Sequence, residues 1–169
     1  MEYFSKAATE SVRLDEASSA YTFLPHWDDS RWNKLLEYIQ PQMFSPGSTI
    51  LRAGLRERAL YIVAFGQVAM FVNTKRRFPF RLGKRETAPL IVGVNTSTVM
   101  NILTFLDGEP GIATYKATSE CQLLYLSIDT FDVFSVRYPK LGRELLFDLG
   151  RLLAQQVRRT SSVLTFYKG

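Results

Sequence analysis

The stretch from Met100 to Thr114, MNILTFLDGEPGIAT, constrains the fold of this chain more than any other. Its apolar residues, Met100, Ile102, Leu103, Phe105 and Leu106, make a run of about two helical turns at most. Asp107, Gly108, Glu109, Pro110 and Gly111 then form a dense cluster of turn formers. From Ile112 the pattern predicts a strand, and Leu123, Leu124 and Leu126 supply the apolar content of a later one. A short helix that ends in a glycine- and proline-rich turn, set among strands, produces a concave corner. The start of such a helix can face a ligand.

The surrounding pattern is that of short strands. Thr49–Arg52 reads as a strand stopped by Gly54, and Ala59–Phe65 as another, with Gly66 as the turn before Val68, Met70 and Val72. Leu90–Val94 and Gln122–Ser127 complete the set. Strands of this length between glycine-bearing turns predict an antiparallel roll or barrel. Upstream, LPHWDDSRWNKLLEYIQP predicts a helix capped by Asp28, Asp29 and Ser30, with Trp32, Leu35, Leu36 and Ile39 on one face and Pro41 as its stop. Downstream, a short helix from Asp129 ends before Tyr138-Pro139, because a residue preceding proline disfavours the helical region. A long helix follows from Lys140 to about Leu164, and its apolar stripe (Leu141, Leu145, Leu149 and Leu152, with Leu146 and Leu153 beside it) is wide enough to be covered on more than one side. The expected division is an N-terminal extension, residues 1–23, and one domain, residues 24–169.

At 169 residues, 46% hydrophobic and 22% charged, the chain has room for one ordinary core. The formal charge of +5 is partly clustered. Between Asn73 and Glu86 stand Lys75, Arg76, Arg77, Arg81, Lys84 and Arg85 against the single acid Glu86, a local excess equal to the whole net charge. With Phe78 and Phe80 interleaved, this segment reads either as a solvated hairpin tip or as a patch for an acidic protein, nucleic acid or anionic lipid. Ala59–Phe65 is the longest apolar run, far below the roughly 20 residues a membrane span needs. The polar N-terminus lacks a signal-peptide core, and the lone Cys121 fits a reducing compartment, so a cytoplasmic protein is expected.

In their order, Phe44-x-Pro46-Gly47-x-x-Ile50, Tyr61-Ile62-Val63-x-x-Gly66-x-Val68, the short helix, Leu106-x-Gly108-x-Pro110-x-x-Ala113-Thr114 and the long terminal helix resemble the cyclic nucleotide-binding domain family. The resemblance runs from about Leu24 to Leu164. It implies a mainly β fold with flanking helices: an antiparallel β-roll (a jelly-roll-like double-stranded β-helix) with an N-terminal helix, a short pocket helix and a long C-terminal helix that often pairs with its twin in a homodimer. Members of the family carry F-G-E at the start of the short helix and R-S/T-A after the proline. The Glu accepts from the ribose hydroxyl, the Arg pairs with the cyclic phosphate, and the Ser or Thr adds a hydroxyl.

Counting from Pro110 places Met100, Asn101 and Ile102 at F-G-E, with Leu103 next, and Gly111, Ile112 and Ala113 at R-S/T-A. The three polar ligand-holding groups are absent. Charge-assisted hydrogen bonds contribute about 1.5–3 kcal/mol each, so losing two weakens nucleotide binding by roughly two to four powers of ten. By the same resemblance Thr160 and Ser161 fall near the Thr-Ser pair that meets the base in catabolite-activator-like members. Lys116 shares strand parity with Ile112 and Thr114 and is a candidate substitute cation.

The remaining chemistry is sparse. A single His26, just before a helix cap, and the distant Cys121 provide no catalytic triad, and neither a metal-ligand spacing nor a phosphate loop occurs. The expected function is therefore non-catalytic: a regulatory or sensor domain with lost or altered cyclic nucleotide binding, needing no other cofactor and no metal. The alternative is an interaction or assembly module with a dead pocket that works through the basic tip and terminal helix. Sequence-specific DNA binding is not expected, since the sequence ends at Gly169 soon after the long helix.

Overall fold

The structure is a computed structural model that describes residues 23–72, 92–94 and 98–166, with side chains to residue 158. Its elements are α1 (Asp29–Leu36), β1 (Gln40–Phe44), β2 (Thr49–Leu51), β3 (Ala59–Phe65), β4 (Val68–Val72), β5 (Val92–Val94), β6 (Val99–Met100), α2 (Ile102–Asp107), β7 (Ala113–Ala117), β8 (Cys121–Ser127), α3 (Ile128–Arg137) and α4 (Pro139–Phe166). Two four-stranded antiparallel sheets, ordered β1-β8-β3-β6 and β2-β7-β4-β5, form the roll, and the helices cover one face of the first sheet.

The uninterrupted apolar run of β3 follows from its position between two cores. Ala59, Tyr61 and Val63 point into the roll with Ile50, Val68, Met100, Cys121 and Leu123. Leu60 and Ile62 point the other way, against Trp32, Phe105, Phe131, Phe134, Leu145 and Leu149 of the helical layer. β8 divides likewise, with Leu123 inward and Leu124 and Leu126 toward the helices. Period two with both faces apolar is what a strand between two layers requires. The β3–β4 turn depends on Gly66, because at φ +91° a Cβ there would lie 2.2 Å from the Glu120 carbonyl oxygen.

Polar side chains fasten the helical layer at two points. The buried Asp148 accepts from the Leu24 amide at 2.7 Å and from Arg151 Nε at 2.6 Å. Glu144 accepts from Trp27 Nε1 at 3.0 Å and from Arg31 Nη1 at 3.2 Å. Phe23 is fully buried in this core, so the packed domain includes it.

Two boundaries differ from expectation by more than one residue among the described residues. α1 ends at Leu36, and Pro41 belongs to β1 instead of stopping the helix. β1 pairs only with β8, and an edge strand tolerates a residue without an amide proton. Ile39 reaches the core from the connecting turn and not from a helical stripe. Met100 is likewise not helical: it pairs with Tyr61 across β6 and β3, and the short helix begins two residues later. Among the described residues, no helix is long and apolar enough to cross a membrane.

Candidate functional site

The corner expected from the sequence is present as α2, the turn from Gly108 to Gly111 and the start of β7. Asn101 opens α2 in the left-handed conformation, φ 66°, which Asn adopts more readily than most side chains. Its Nδ2 donates at 2.8 Å to the carbonyls of both Glu57 and Ala59, so its side chain is turned inward as a strut. Gly108 closes the helix at φ 72°, donating to the Thr104 carbonyl at 3.0 Å.

The loop from Arg52 to Arg58 lies across this corner and is fastened to it. The Gly111 amide donates to the Leu55 carbonyl at 2.8 Å and the Gly54 amide to the Gly111 carbonyl at 2.7 Å. The Ala53 amide donates to Thr114 Oγ1 at 3.1 Å. Arg58 donates from Nε and Nη2 to the Phe105 carbonyl at 3.3 and 3.2 Å, meeting a helix-end oxygen with a cation. Arg56 reaches the Gly108 carbonyl at 3.3 Å and Glu109 at 3.5 Å, both in solvent. The corner's own polar groups are thus largely satisfied within the protein.

Beneath it lies a group of tyrosines. Tyr61 donates to Glu57 Oε1 at 2.6 Å and meets Tyr125 edge-on at 5.2 Å. Burial is the main cause that holds Tyr61 well above the ordinary tyrosine range, and the Glu57 carboxylate adds to it. Burial raises Tyr115 as well, partly offset by the Asn101 amide facing its hydroxyl.

Among the described residues, those singled out from the sequence are divided between the two cores and the surface. Met100 is buried inside the roll, whereas Ile102 is buried in the helical core beside Phe105. They belong to two different layers, so they do not line one common wall. Leu103 and Ile112 face solvent, 46% and 66% exposed, and Ala113 is buried. Gly111 has room: a Cβ there would stand 3.6 Å from the Leu55 carbonyl oxygen and from Thr104 Oγ1, and 3.8 Å from Asn101 Oδ1. Lys116 is exposed on the outer face of β7, its Nζ 5.8 Å from the Phe71 ring centroid. Thr160 and Ser161 lie on α4, with side chains outside the described residues, as does the whole basic segment holding Lys75, Arg76, Arg77, Arg81, Lys84 and Arg85. The loop Arg52–Arg58 was not anticipated. Its only signal is three arginines around Gly54 with no acid but Glu57 among them.

Among solved structures, a cyclic nucleotide-binding domain from Methylobacillus flagellatus KT superposes with a TM-score of 0.73 at 18% identity, covering 95% of this chain and 84% of that one. The Thermus thermophilus catabolite activator protein gives 0.66 at 24% identity, over 83% of this chain and 60% of that one. This chain has the cyclic nucleotide-binding domain fold. The cyclic nucleotide-binding fold is also seen in the regulatory domain of Toxoplasma gondii PKA with cAMP, at a TM-score of 0.63 and 20% identity over 91% of this chain and 52% of that one. In sequence, the cyclic nucleotide-gated channel alpha-4 proteins of Mus musculus and Rattus norvegicus are each 26% identical over 151 residues, 84% of this chain. The chain spans about a quarter of the length of these relatives. No family model matches. Among the described residues no group of three or more His, Cys, Asp or Glu is placed to hold a metal ion.

Proposed function

We propose that this is a non-catalytic regulatory domain in which cyclic nucleotide binding is lost or altered. One observation carries the reading: the corner keeps its backbone scaffold, while the positions for the phosphate- and ribose-holding groups are Gly111, solvent-facing Ile112 and core-facing Ile102. The amide of Gly111 is already committed to Leu55. The names of the similar proteins, several of which bind or respond to cyclic nucleotides, support the regulatory part of this reading. A cytoplasmic location accords with it.

Calorimetry and thermal shift with cyclic AMP and cyclic GMP, up to millimolar ligand, test it. A ligand at 100 times its dissociation constant stabilises by about 2.7 kcal/mol. The expected result is no shift at micromolar ligand. A clear shift there overturns the proposal and would mean that backbone amides and another cation, with Lys116 the first candidate, rebuild the phosphate site. In that event Lys116→Ala decides whether Lys116 is that cation.

A second reading, assembly through α4 with or without an acidic partner at the basic segment, is favoured by the solvent face of that helix. Leu146 (41% exposed), Phe147 (79%) and Val157 (65%) line it, and Gly150 between them leaves open space for a close approach. Light scattering on Phe147→Glu against the parent chain distinguishes a homodimer on this face from a monomer.

A further inference from the structure

We propose that a cleft at the end of α1 and the α3–α4 junction is a docking site for an acidic peptide segment of a partner protein. The cleft is shallow and broadly open to solvent, with a volume of about 360 Å³, and is lined by Arg31, Lys34, Arg137, Tyr138 and Lys140, with no carboxylate among its lining residues. It lies in the helical layer, away from the corner, and stands independently of the reading of the corner.

Four cations from three helices converge here, although more than 100 positions separate the first from the last. Arg31 is neutralised by Glu144 at 3.2 Å and lies 4.0 Å from Asp28. Lys34, Arg137 and Lys140 have no carboxylate within ion-pair distance among the described residues. Tyr138 organises two of them: Lys34 Nζ is 5.7 Å and Arg137 Cζ 5.6 Å from its ring centroid, and Arg137 Nε donates to its hydroxyl at 3.3 Å.

Fold stability accounts for only part of this charge. Lys34 and Arg137 occupy the last turns of their helices, where the dipole favours a cation. Lys140 stands in the first turn of the 28-residue α4, where the dipole disfavours a cation and no acid is present. Glu144 is committed to Arg31 and Glu37 acts on Arg137 only beyond ion-pair distance, so the cluster keeps an excess of positive charge that a polyanion complements.

The shape selects a peptide. Exposed ion pairs contribute about 0.2–1 kcal/mol each, so an open cleft holds a ligand only by engaging several charges at once. A run of Asp or Glu side chains does this, and Tyr138 and Pro139 in the lining offer apolar surface for the peptide's own stems.

The test is fluorescence anisotropy of a labelled deca-glutamate peptide titrated with the purified chain at low and physiological salt. The expected result is salt-sensitive binding that Lys34→Glu/Lys140→Glu weakens about tenfold and Arg137→Gln a few-fold. Arg76→Glu/Arg77→Glu, in the other basic region, leaves it unchanged. Circular dichroism confirms that each variant is folded, and Arg137→Gln serves alone if the double reversal is not. Loss of binding in the Arg76/Arg77 variant but not the cleft variants overturns the proposal. Absence of binding at millimolar peptide does so too, as does full displacement by inorganic phosphate at matched ionic strength, which would mark a single-anion site.

Discussion

The helical layer and the corner at α2 share β3 and α2, yet they are built by opposite rules. In the helical layer large side chains interlock: Phe134 is fully buried against Tyr38 at 5.4 Å and Tyr138 at 5.6 Å, Phe105 meets Phe131 at 5.5 Å, and the buried Asp148 accepts from two donors. In the corner the backbone supplies the contacts, while Leu55, Leu103, Leu106 and Ile112 face water. Side-chain packing therefore holds the first region, and hydrogen bonds to main-chain groups, some from Asn101 and Arg58 side chains, hold the second. A corner organised by its backbone keeps its shape when its side chains change, so this fold can survive loss of the residues that hold a ligand.

The largest expected effect tests that contrast directly. Phe134→Ala should cost about 3–5 kcal/mol in urea unfolding, because a closed core cannot collapse around the lost ring. Ile112→Ala should cost under about 0.5 kcal/mol at its exposed position. Equal costs would break the comparison. Next, Asp148→Ala leaves the Leu24 amide and Arg151 without their shared acceptor, for an expected loss of about 2–4 kcal/mol. The loss should appear first as faster hydrogen exchange around Phe23–Trp27, since Asp148 ties that segment to α4.

In the corner the matching residue is Asn101. Asn101→Ala removes donors to two carbonyls and places a residue with less tolerance at positive φ, for about 2–3 kcal/mol. Asn101→Gly restores the backbone freedom but not the bonds, so its cost should be about 1 kcal/mol lower. If both variants cost the same, the backbone conformation contributes nothing and the strut is everything.

How much of this was legible follows from the same contrast. β3 and β4 announce themselves through apolar runs of strand length on either side of Gly66, which has a steric reason to be glycine. The end of α1 was hidden, since Ile39 continues the helical spacing although it packs from a turn. The direction of Ile102 was hidden too. A helix of six residues has no stripe of its own, and which layer it faces depends on β3 and β8 lying beneath it. The latch formed by Arg52–Arg58 was invisible because backbone carbonyls, unlike side chains, leave no pattern in a sequence.

Alkaline stability separates the two regions more gently. In the folded protein, burial and Glu57 keep Tyr61 protonated beyond the ordinary value of 10.0, at which the unfolded chain releases the proton. Its contribution is therefore complete below that value and is lost as the pH rises past it. Urea midpoints should fall as the pH rises above about 10, and Tyr61→Phe should flatten the fall, although it loses the bond to Glu57 at every pH. An unchanged slope in Tyr61→Phe would move the effect to Tyr115, which burial also raises.

The smallest expected change in stability is also the most informative about the corner. Gly111 is not at positive φ, and its added Cβ would sit at ordinary contact distance, 3.6–3.8 Å, from Leu55, Thr104 and Asn101. Gly111→Arg should thus alter stability by less than about 1 kcal/mol, with the side chain leaving toward solvent. If the backbone scaffold is still competent, the new guanidinium should bring cyclic nucleotide affinity up by about tenfold or more, the worth of one charge-assisted pair. A folded Gly111→Arg variant with no gain would show that the latch from Leu55 to Gly111 closes the corner against the phosphate, so that the backbone has changed along with the side chains. A gain would show that the side chains alone were lost.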